Sequence, residues 1–166
     1  MKTSKVQRII GCLVLVGVLA FTACKKDWLD SYSDGEYRLE ENLVMNQSLF
    51  LNVLVPKDPG IVFSISDLVR EELELKVSVI GSDPNASFQF VWDGKIQETA
   101  PMGVQLFLIY DGKSEDFEAD LAKTVTVKLG KIFQLRSNYK NYNIRVLNGS
   151  KAQTLTLHPD STISGL

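Results

Sequence analysis

Residues 73–79 read Leu-Glu-Leu-Lys-Val-Ser-Val and alternate apolar and polar side chains without a break. Successive side chains of a β-strand point to opposite faces, so this pattern predicts a strand with one apolar and one polar face. The same alternation recurs in residues 124–129 (Thr-Val-Thr-Val-Lys-Leu) and 142–146 (Tyr-Asn-Ile-Arg-Val). These three segments favour a fold built from β-sheets that each turn one face to a core.

Further strands are predicted on both sides of these three. Apolar residues occupy alternate positions in residues 49–55, 61–65, 88–92 and 153–157, and we assign Phe88, Phe90 and Trp92 to the core. Residues 104–110 are apolar on both faces, which indicates a strand in the centre of a sheet. Asn148 and Gly149 suit the backbone of a hairpin turn. A short helical turn is expected only in residues 66–72.

The fold class that these features predict is all-β. Turn-forming residues separate the strands at intervals of roughly 8–15 residues, which favours an antiparallel β-sandwich of about 7–9 strands. Residues 88–94 (Phe-Gln-Phe-Val-Trp-Asp-Gly) resemble the tryptophan-bearing strand of a fibronectin type III domain. Leu135 followed by Tyr142 resembles the approach to a later strand of that fold. The resemblance implies an immunoglobulin-like sandwich.

The N-terminus has the features of a secretory signal. Lys2, Lys5 and Arg8 are positively charged, and residues 9–23 form an almost wholly apolar stretch. These 15 residues are fewer than the roughly 20 that a membrane-spanning helix needs. The pattern therefore predicts an exported chain rather than one that crosses the membrane here.

Residues 21–24 (Phe-Thr-Ala-Cys) resemble the lipobox of bacterial lipoproteins. The resemblance implies a signal peptide over residues 1–23, cleavage before Cys24, and attachment of lipid, including palmitate, to Cys24. Several acyl chains hold a protein firmly at a membrane, whereas one holds it only marginally. Residues 24–35 then form a polar tether and residues 36–166 a single domain. An ordinary secretory signal followed by a chance cysteine is the alternative.

The residues after Cys24 bear on location. Lys25 is not the Asp that retains proteobacterial lipoproteins at the inner membrane, so the resemblance implies the outer membrane. Lys26 and Asp27 resemble the start of the surface-export signal of Bacteroidota lipoproteins, although Trp28 interrupts its acidic part. A solvated spacer fits this stretch equally well. The sequence therefore leaves open whether the domain faces the cell surface or the periplasm.

Composition argues against several classes of function. The 18 Lys and Arg against 20 Asp and Glu give a net charge of −2, whereas nucleic-acid-binding domains are usually clearly basic. One His and two Cys, of which Cys12 lies in the signal, do not readily assemble a zinc site. The glycines are isolated and form no phosphate-binding loop. We therefore predict no catalytic residues, no cofactor, no metal and no nucleic-acid partner.

Two groups of residues keep chemical alternatives open. His158 can serve as the base of a Ser-His-Asp site, although an exposed loop histidine is the simpler interpretation. Five acidic residues between positions 111 and 120 offer oxygen ligands to calcium, but their spacing does not match an EF-hand and a solvated loop is favoured. These residues are Asp111, Glu115, Asp116, Glu118 and Asp120.

The function expected from these features is a non-enzymatic binding or assembly module held at the outer membrane through Cys24. The resemblance implies an accessory role in a surface complex for glycan capture or adhesion, with a protein or glycan partner. One alternative is a periplasm-facing scaffold or a pilin-like subunit. Another is a small hydrolase.

The substitution Cys24→Ala tests the lipid anchor. We expect it to abolish incorporation of radiolabelled palmitate and to leave the unprocessed precursor on a gel, because the acylated sulfur is gone. Cys12→Ala is the matched control and should be labelled and processed normally. Palmitate labelling of the Cys24→Ala chain would contradict the lipobox interpretation.

Overall fold

A computed structural model describes residues 37–52, 61–111, 114–134 and 138–165. The predictions for residues 1–23, Cys24 and the tether 24–35 lie outside the described residues, as does Leu135. One α-helix, α1 (Gln47–Asn52), accompanies ten strands among the described residues. In chain order the strands are β1 (Tyr37–Glu40), β2 (Leu43–Met45), β3 (Ser64–Glu71), β4 (Glu74–Ser82), β5 (Ser87–Trp92), β6 (Gly103–Asp111), β7 (Glu118–Lys128), β8 (Asn143–Asn148), β9 (Thr154–Leu157) and β10 (Ile163–Ser164).

The strands form two sheets, which confirms the all-β class. The larger sheet has seven strands in the order β1-β2-β5-β6-β8-β9-β10, and the smaller sheet has three in the order β3-β4-β7. Buried side chains from both sheets form one continuous core. Leu75, Val77 and Val79 on β4 all belong to it, as the alternation of residues 73–79 predicts.

The prediction of an antiparallel sandwich is wrong for the larger sheet, which is mixed. Strand β2 pairs in parallel with β5, and β6 pairs in parallel with β8. In both cases the chain enters the smaller sheet between the two strands and then returns, and such a crossover connection allows parallel pairing. Alternation specifies which face of a strand is buried, but it does not specify the direction of its neighbour. The ten strands also exceed the predicted 7–9, because β1, β2 and β10 are very short.

The strand predicted in residues 49–55 is also wrong. Its first residues belong to α1, which begins after Asn46, whose side-chain oxygen accepts a hydrogen bond of 2.8 Å from the Leu49 N–H. This is the interaction of a helix N-cap, which satisfies a backbone donor that the first turn leaves unpaired. Phe50 packs edge-on against Phe107 on the outer face of the larger sheet, with ring centroids 4.8 Å apart. The later part of the predicted strand, residues 53–55, lies outside the described residues.

Residues 66–71 of the expected helical turn are instead part of strand β3. A β-bulge between Ile65 and Asp67 inserts an extra residue into the pairing with β4. The bulge shifts the alternation, so that Ile65 and Leu68 both reach the core although they are three residues apart. A spacing of three is also typical of a helix, which explains the wrong prediction.

Two other predictions are confirmed. Strand β6 lies between β5 and β8 in the middle of the larger sheet, as the two apolar faces of residues 104–110 indicate. Its Leu106 and Leu108 enter the core between the sheets, while Phe107 contacts the cluster under α1. Strands β8 and β9 form the antiparallel hairpin predicted from Asn148 and Gly149.

The turn of this hairpin joins the two sheets through side-chain hydrogen bonds, which we call the inter-sheet latch. The Asn148 amide donates to the Phe63 carbonyl at 2.8 Å, and the Phe63 N–H donates to the Ser150 hydroxyl at 3.1 Å. The Gln153 amide accepts from the Ile65 N–H and donates to the Ile65 carbonyl, both at 2.8 Å. Side chains of the latch thus form hydrogen bonds with the N–H and C=O groups of Phe63 and Ile65. On the side of β3 away from β4, they replace a neighbouring strand.

The substitution Trp92→Ala tests the packing of the core. Trp92 is 8% exposed, and its indole N–H donates to the Lys95 carbonyl at 3.0 Å. Removing the ring leaves a cavity and an unpaired carbonyl, so we expect a loss of about 3–5 kcal/mol in the free energy of unfolding, measured with urea. Leu51→Ala is the control, because Leu51 is 67% exposed and its loss should change stability by no more than about 0.5 kcal/mol. A loss below about 1 kcal/mol for Trp92→Ala would show that the ring is not part of the core.

Candidate functional site

A groove of about 690 Å³ lies between β7, an edge strand of the smaller sheet, and the start of β5 in the larger sheet. We call it the β5–β7 groove. Its walls are residues 86–89, around the start of β5, and residues 123–126 and 128 of β7. The turn between β1 and β2 closes one side with Glu41 and Asn42. Both walls of this candidate site are strand segments, so backbone groups as well as side chains can face it.

Strand β7 is the edge of the smaller sheet, and its outward backbone groups face the β5–β7 groove. The N–H of Leu129, just beyond β7, donates to the Leu73 carbonyl at 2.7 Å, so odd-numbered residues here bond towards β4. The backbone groups of Thr124, Thr126 and Lys128 therefore point the other way, because pairing alternates along a strand. The Thr126 carbonyl accepts a hydrogen bond of 2.9 Å from the Asn42 side chain, which agrees with this direction.

The opposite wall offers backbone groups of β5. On β5, strand β2 pairs with Phe90, Val91 and Trp92, and the Phe90 N–H donates to the Asn42 carbonyl at 2.7 Å. By the same alternation the N–H and C=O of Phe88 face the groove, beyond the end of β2. The Lys123 ammonium crosses from β7 and donates to the Ala86 carbonyl. Side chains of the chain itself thus make two of the hydrogen bonds that a strand in this position would make.

An acidic hollow of about 630 Å³ adjoins the β5–β7 groove and shares Glu40 and Lys128 with it. Its other acidic residues are Glu71, Glu72 and Glu74 at the hairpin between β3 and β4. Of these, Glu71 forms an ion pair with Lys76 at 2.6 Å. The hollow therefore carries more negative than positive charge, with Lys128 as the one cation in its lining.

A buried carboxylate stands near the Lys123 end of the groove. Asp83 is only 2% exposed, accepts a hydrogen bond from the Tyr110 hydroxyl and accepts another, of 2.7 Å, from the Asn85 N–H. The Tyr110 hydrogen bond is the main cause that lowers the pKa of Asp83 below its usual range. Burial, followed by the contact with Asp83, raises the pKa of Tyr110 well above its usual value. The pair fixes the turn before β5 and so the position of the groove wall.

His158 is not the exposed loop residue that the sequence suggests. It is half-buried, and its two ring nitrogens lie 3.1 Å from the Asn143 side-chain oxygen and 2.8 Å from the Ser164 hydroxyl. The order Ser-His-Asn is that of a nucleophile, a base and an orienting group. Asn143 is neutral, however, and none of the three residues lines the β5–β7 groove. In this structure the three residues tie the hairpin of β9 and β10 to the start of β8.

The acidic residues considered as calcium ligands lie in a short 3₁₀ turn and at the start of β7. Glu115 and Asp116 belong to the turn, and Glu118 and Asp120 to the strand, all largely exposed. The side chain of Asp111 lies outside the described part of the chain. Within that part, no three His, Cys, Asp or Glu residues are arranged to share a metal ion. No helix among the described residues is long and apolar enough to cross a membrane.

Sequence reasoning missed the β5–β7 groove. One signal was present, because lysines on an edge strand are typical of edges that avoid unwanted pairing, and β7 carries Lys123 and Lys128. Asn42 gave no such signal, because only the three-dimensional fold brings it into contact with Thr126. No protein-family model, no curated protein and no solved structure matches this chain.

The substitution Tyr110→Phe tests the buried pair through the pH dependence of stability. A lowered pKa of Asp83 in the folded state means that this group stabilises the fold above about pH 4 and loses that contribution as the pH falls. A raised pKa of Tyr110 means that its contribution is lost as the pH rises above about 10. We expect Tyr110→Phe to be less stable at pH 7 and to show a shallower loss of stability at both extremes, measured by urea unfolding.

An unchanged pH profile in Tyr110→Phe would show that the hydrogen bond to Asp83 does not contribute to stability.

Proposed function

We propose that this chain is a lipid-anchored binding module of the bacterial outer membrane without catalytic activity. The observation that carries the proposal is the β5–β7 groove, where backbone groups of both sheets are turned outward instead of being paired within a sheet. The resemblance of residues 21–24 to a lipobox supports anchoring through Cys24. A tether after the anchor places such a groove within reach of other envelope components.

A protein partner fits the surface better than a glycan. The exposed large apolar side chains among the described residues are all aliphatic, whereas Phe88, Phe90 and Trp92 lie in the core. A sugar-stacking platform needs exposed aromatic faces, and an extended polypeptide needs backbone donors and acceptors. We therefore propose an accessory role in a surface assembly, adhesion or glycan capture among them, in which this domain contacts a protein.

An immunoglobulin-like relationship is a further part of the proposal. It is supported by the two-sheet core and by the burial of Trp92 and Tyr142 within it, at 8% and 0% exposure. The mixed larger sheet separates this chain from a purely antiparallel sandwich of that kind.

A pilin-like subunit that exchanges strands between copies is the second candidate, and the open edge of β7 is the observation that favours it. Its distinguishing property is concentration-dependent assembly of the purified domain. Light scattering across a dilution series measures the mass of the purified domain and so distinguishes the two candidate functions. A pilin-like subunit should assemble as its concentration rises, whereas a binding module for another protein remains monomeric throughout.

Photo-crosslinking in intact cells of the native host tests the proposed function. A photoreactive residue at Thr124, which is exposed in the β5–β7 groove, should capture a defined envelope protein, and the same residue at exposed Ala152 should not. Capture should be lost in the Cys24→Ala background, because the anchor brings the module to its partner. Equal capture from Thr124 and Ala152, or none from either, would contradict the proposal.

A further inference from the structure

We propose that the β5–β7 groove binds an extended segment of a partner polypeptide by β-strand addition to β7, with a basic side chain of that segment in the acidic hollow. This inference rests on the proposed function and specifies the chemistry of the partner. It is distinct from exchange between copies of this chain, because the occupant is a short strand of another protein.

The backbone of β7 is suited to bind a main chain in the extended conformation. Thr124, Thr126 and Lys128 turn their N–H and C=O groups to the groove at every second position, which is the spacing that a strand requires. Main-chain pairing of this kind supplies affinity without selecting for side chains. From Thr124 to Lys128 the edge extends about 13 Å, which suits a segment of about five residues.

The start of β5 forms the opposite wall, so that the site is a groove and not only the exposed edge of β7. Phe88 turns its backbone groups towards the same space, while Asn42 and Lys123 reach across it to Thr126 and Ala86. These two side chains satisfy carbonyl groups in the free protein and shield the edge from indiscriminate pairing. Asn42 lies in the turn between β1 and β2, and Lys123 reaches across through its long side chain. An incoming strand can displace both side chains by replacing their hydrogen bonds with its own.

The acidic hollow supplies the remaining specificity. It lies at the Lys128 end of the β5–β7 groove and contains Glu40, Glu72 and Glu74, together with Glu71, which is paired with Lys76. A strand running along β7 must pass this hollow at one of its ends. A Lys or Arg at that end would meet complementary charge, whereas an acidic residue would meet repulsion.

A synthetic peptide with blocked termini, Lys-Thr-Val-Ser-Val-Thr-Lys, tests the proposal by fluorescence anisotropy with the purified domain. Lysine at both ends presents a basic residue to the acidic hollow whichever direction the peptide takes. We expect saturable binding, and roughly tenfold weaker binding of the same peptide with Glu at both ends. The difference between the two peptides should shrink at high salt, because exposed charges are screened. Equal affinities would overturn the assignment of the acidic hollow.

Main-chain recognition is tested by a peptide with methyl groups on alternate backbone nitrogens, made in both registers. One register removes the donors that face β7 and should bind roughly tenfold more weakly or not at all. Undiminished binding of both methylated peptides would overturn strand addition. This comparison uses the wild-type domain, so it does not depend on whether any variant folds.

Two substitutions at one position provide the matched protein variants. Thr124→Pro removes the outward N–H, and proline is tolerated on an edge strand where the N–H faces away from the sheet. Thr124→Val keeps the N–H and replaces the hydroxyl with a methyl group. We expect Thr124→Pro to bind roughly tenfold more weakly than Thr124→Val, with circular dichroism spectra of both variants like that of the wild type. Loss of binding in both variants would show recognition of the hydroxyl and overturn strand addition.

Failure of this inference and failure of the proposed function give different results. Capture of an envelope protein from Thr124 in cells, without binding of the lysine-ended peptide in vitro, would retain the binding module and overturn strand addition.

Discussion

The hydrogen bonds between the hairpin turn of β8 and β9 and the backbone of Phe63 and Ile65 hold the two sheets in register. A sandwich whose sheets touch only through apolar side chains leaves the backbone at its corners unpaired, and an unpaired buried backbone group is costly. Here Asn148, Ser150 and Gln153 act as a substitute for a neighbouring strand. Because Phe63 is fully buried, water does not compete for these bonds, and the start of β3 is fixed against the larger sheet.

The same device recurs farther along β3, and its incomplete form at β7 creates the candidate site. Arg70 on β3 donates to the carbonyls of Tyr139, Lys140 and Tyr142 and so joins the smaller sheet to the chain before β8. At the β5–β7 groove Asn42 and Lys123 make comparable bonds, while the backbone groups of Thr124 and Lys128 face outward from β7. Among the described residues, side chains thus join the two sheets along β3, whereas the outer edge of β7 faces the groove.

The sequence predicted the faces of the strands well, because alternation is a local property of neighbouring residues. It identified the core positions of β4, the central place of β6 and the hairpin after Asn148. It failed for α1, where the cap provided by Asn46 and the packing of Phe50 outweigh the alternation of Leu49 and Leu51. It also failed for strand direction and for the β5–β7 groove, since these depend on contacts between distant residues. Asn42 and Thr126 are separated by 84 positions in the chain, and no local pattern reports that contact.

Native-state amide hydrogen exchange, resolved by residue, compares the closed and open sides of the sandwich in one measurement. The amides of Phe63 and Ile65 should exchange only when the whole domain unfolds, with the same protection as the amides of β4 and β6. The amides of Thr124 and Lys128, which face the groove, should exchange orders of magnitude faster in the free protein. Rapid exchange at Phe63 and Ile65 would contradict the account that side chains hold the two sheets together along β3. Protection of Thr124 and Lys128 equal to that of Phe63 and Ile65 would contradict the account that their amides face the groove.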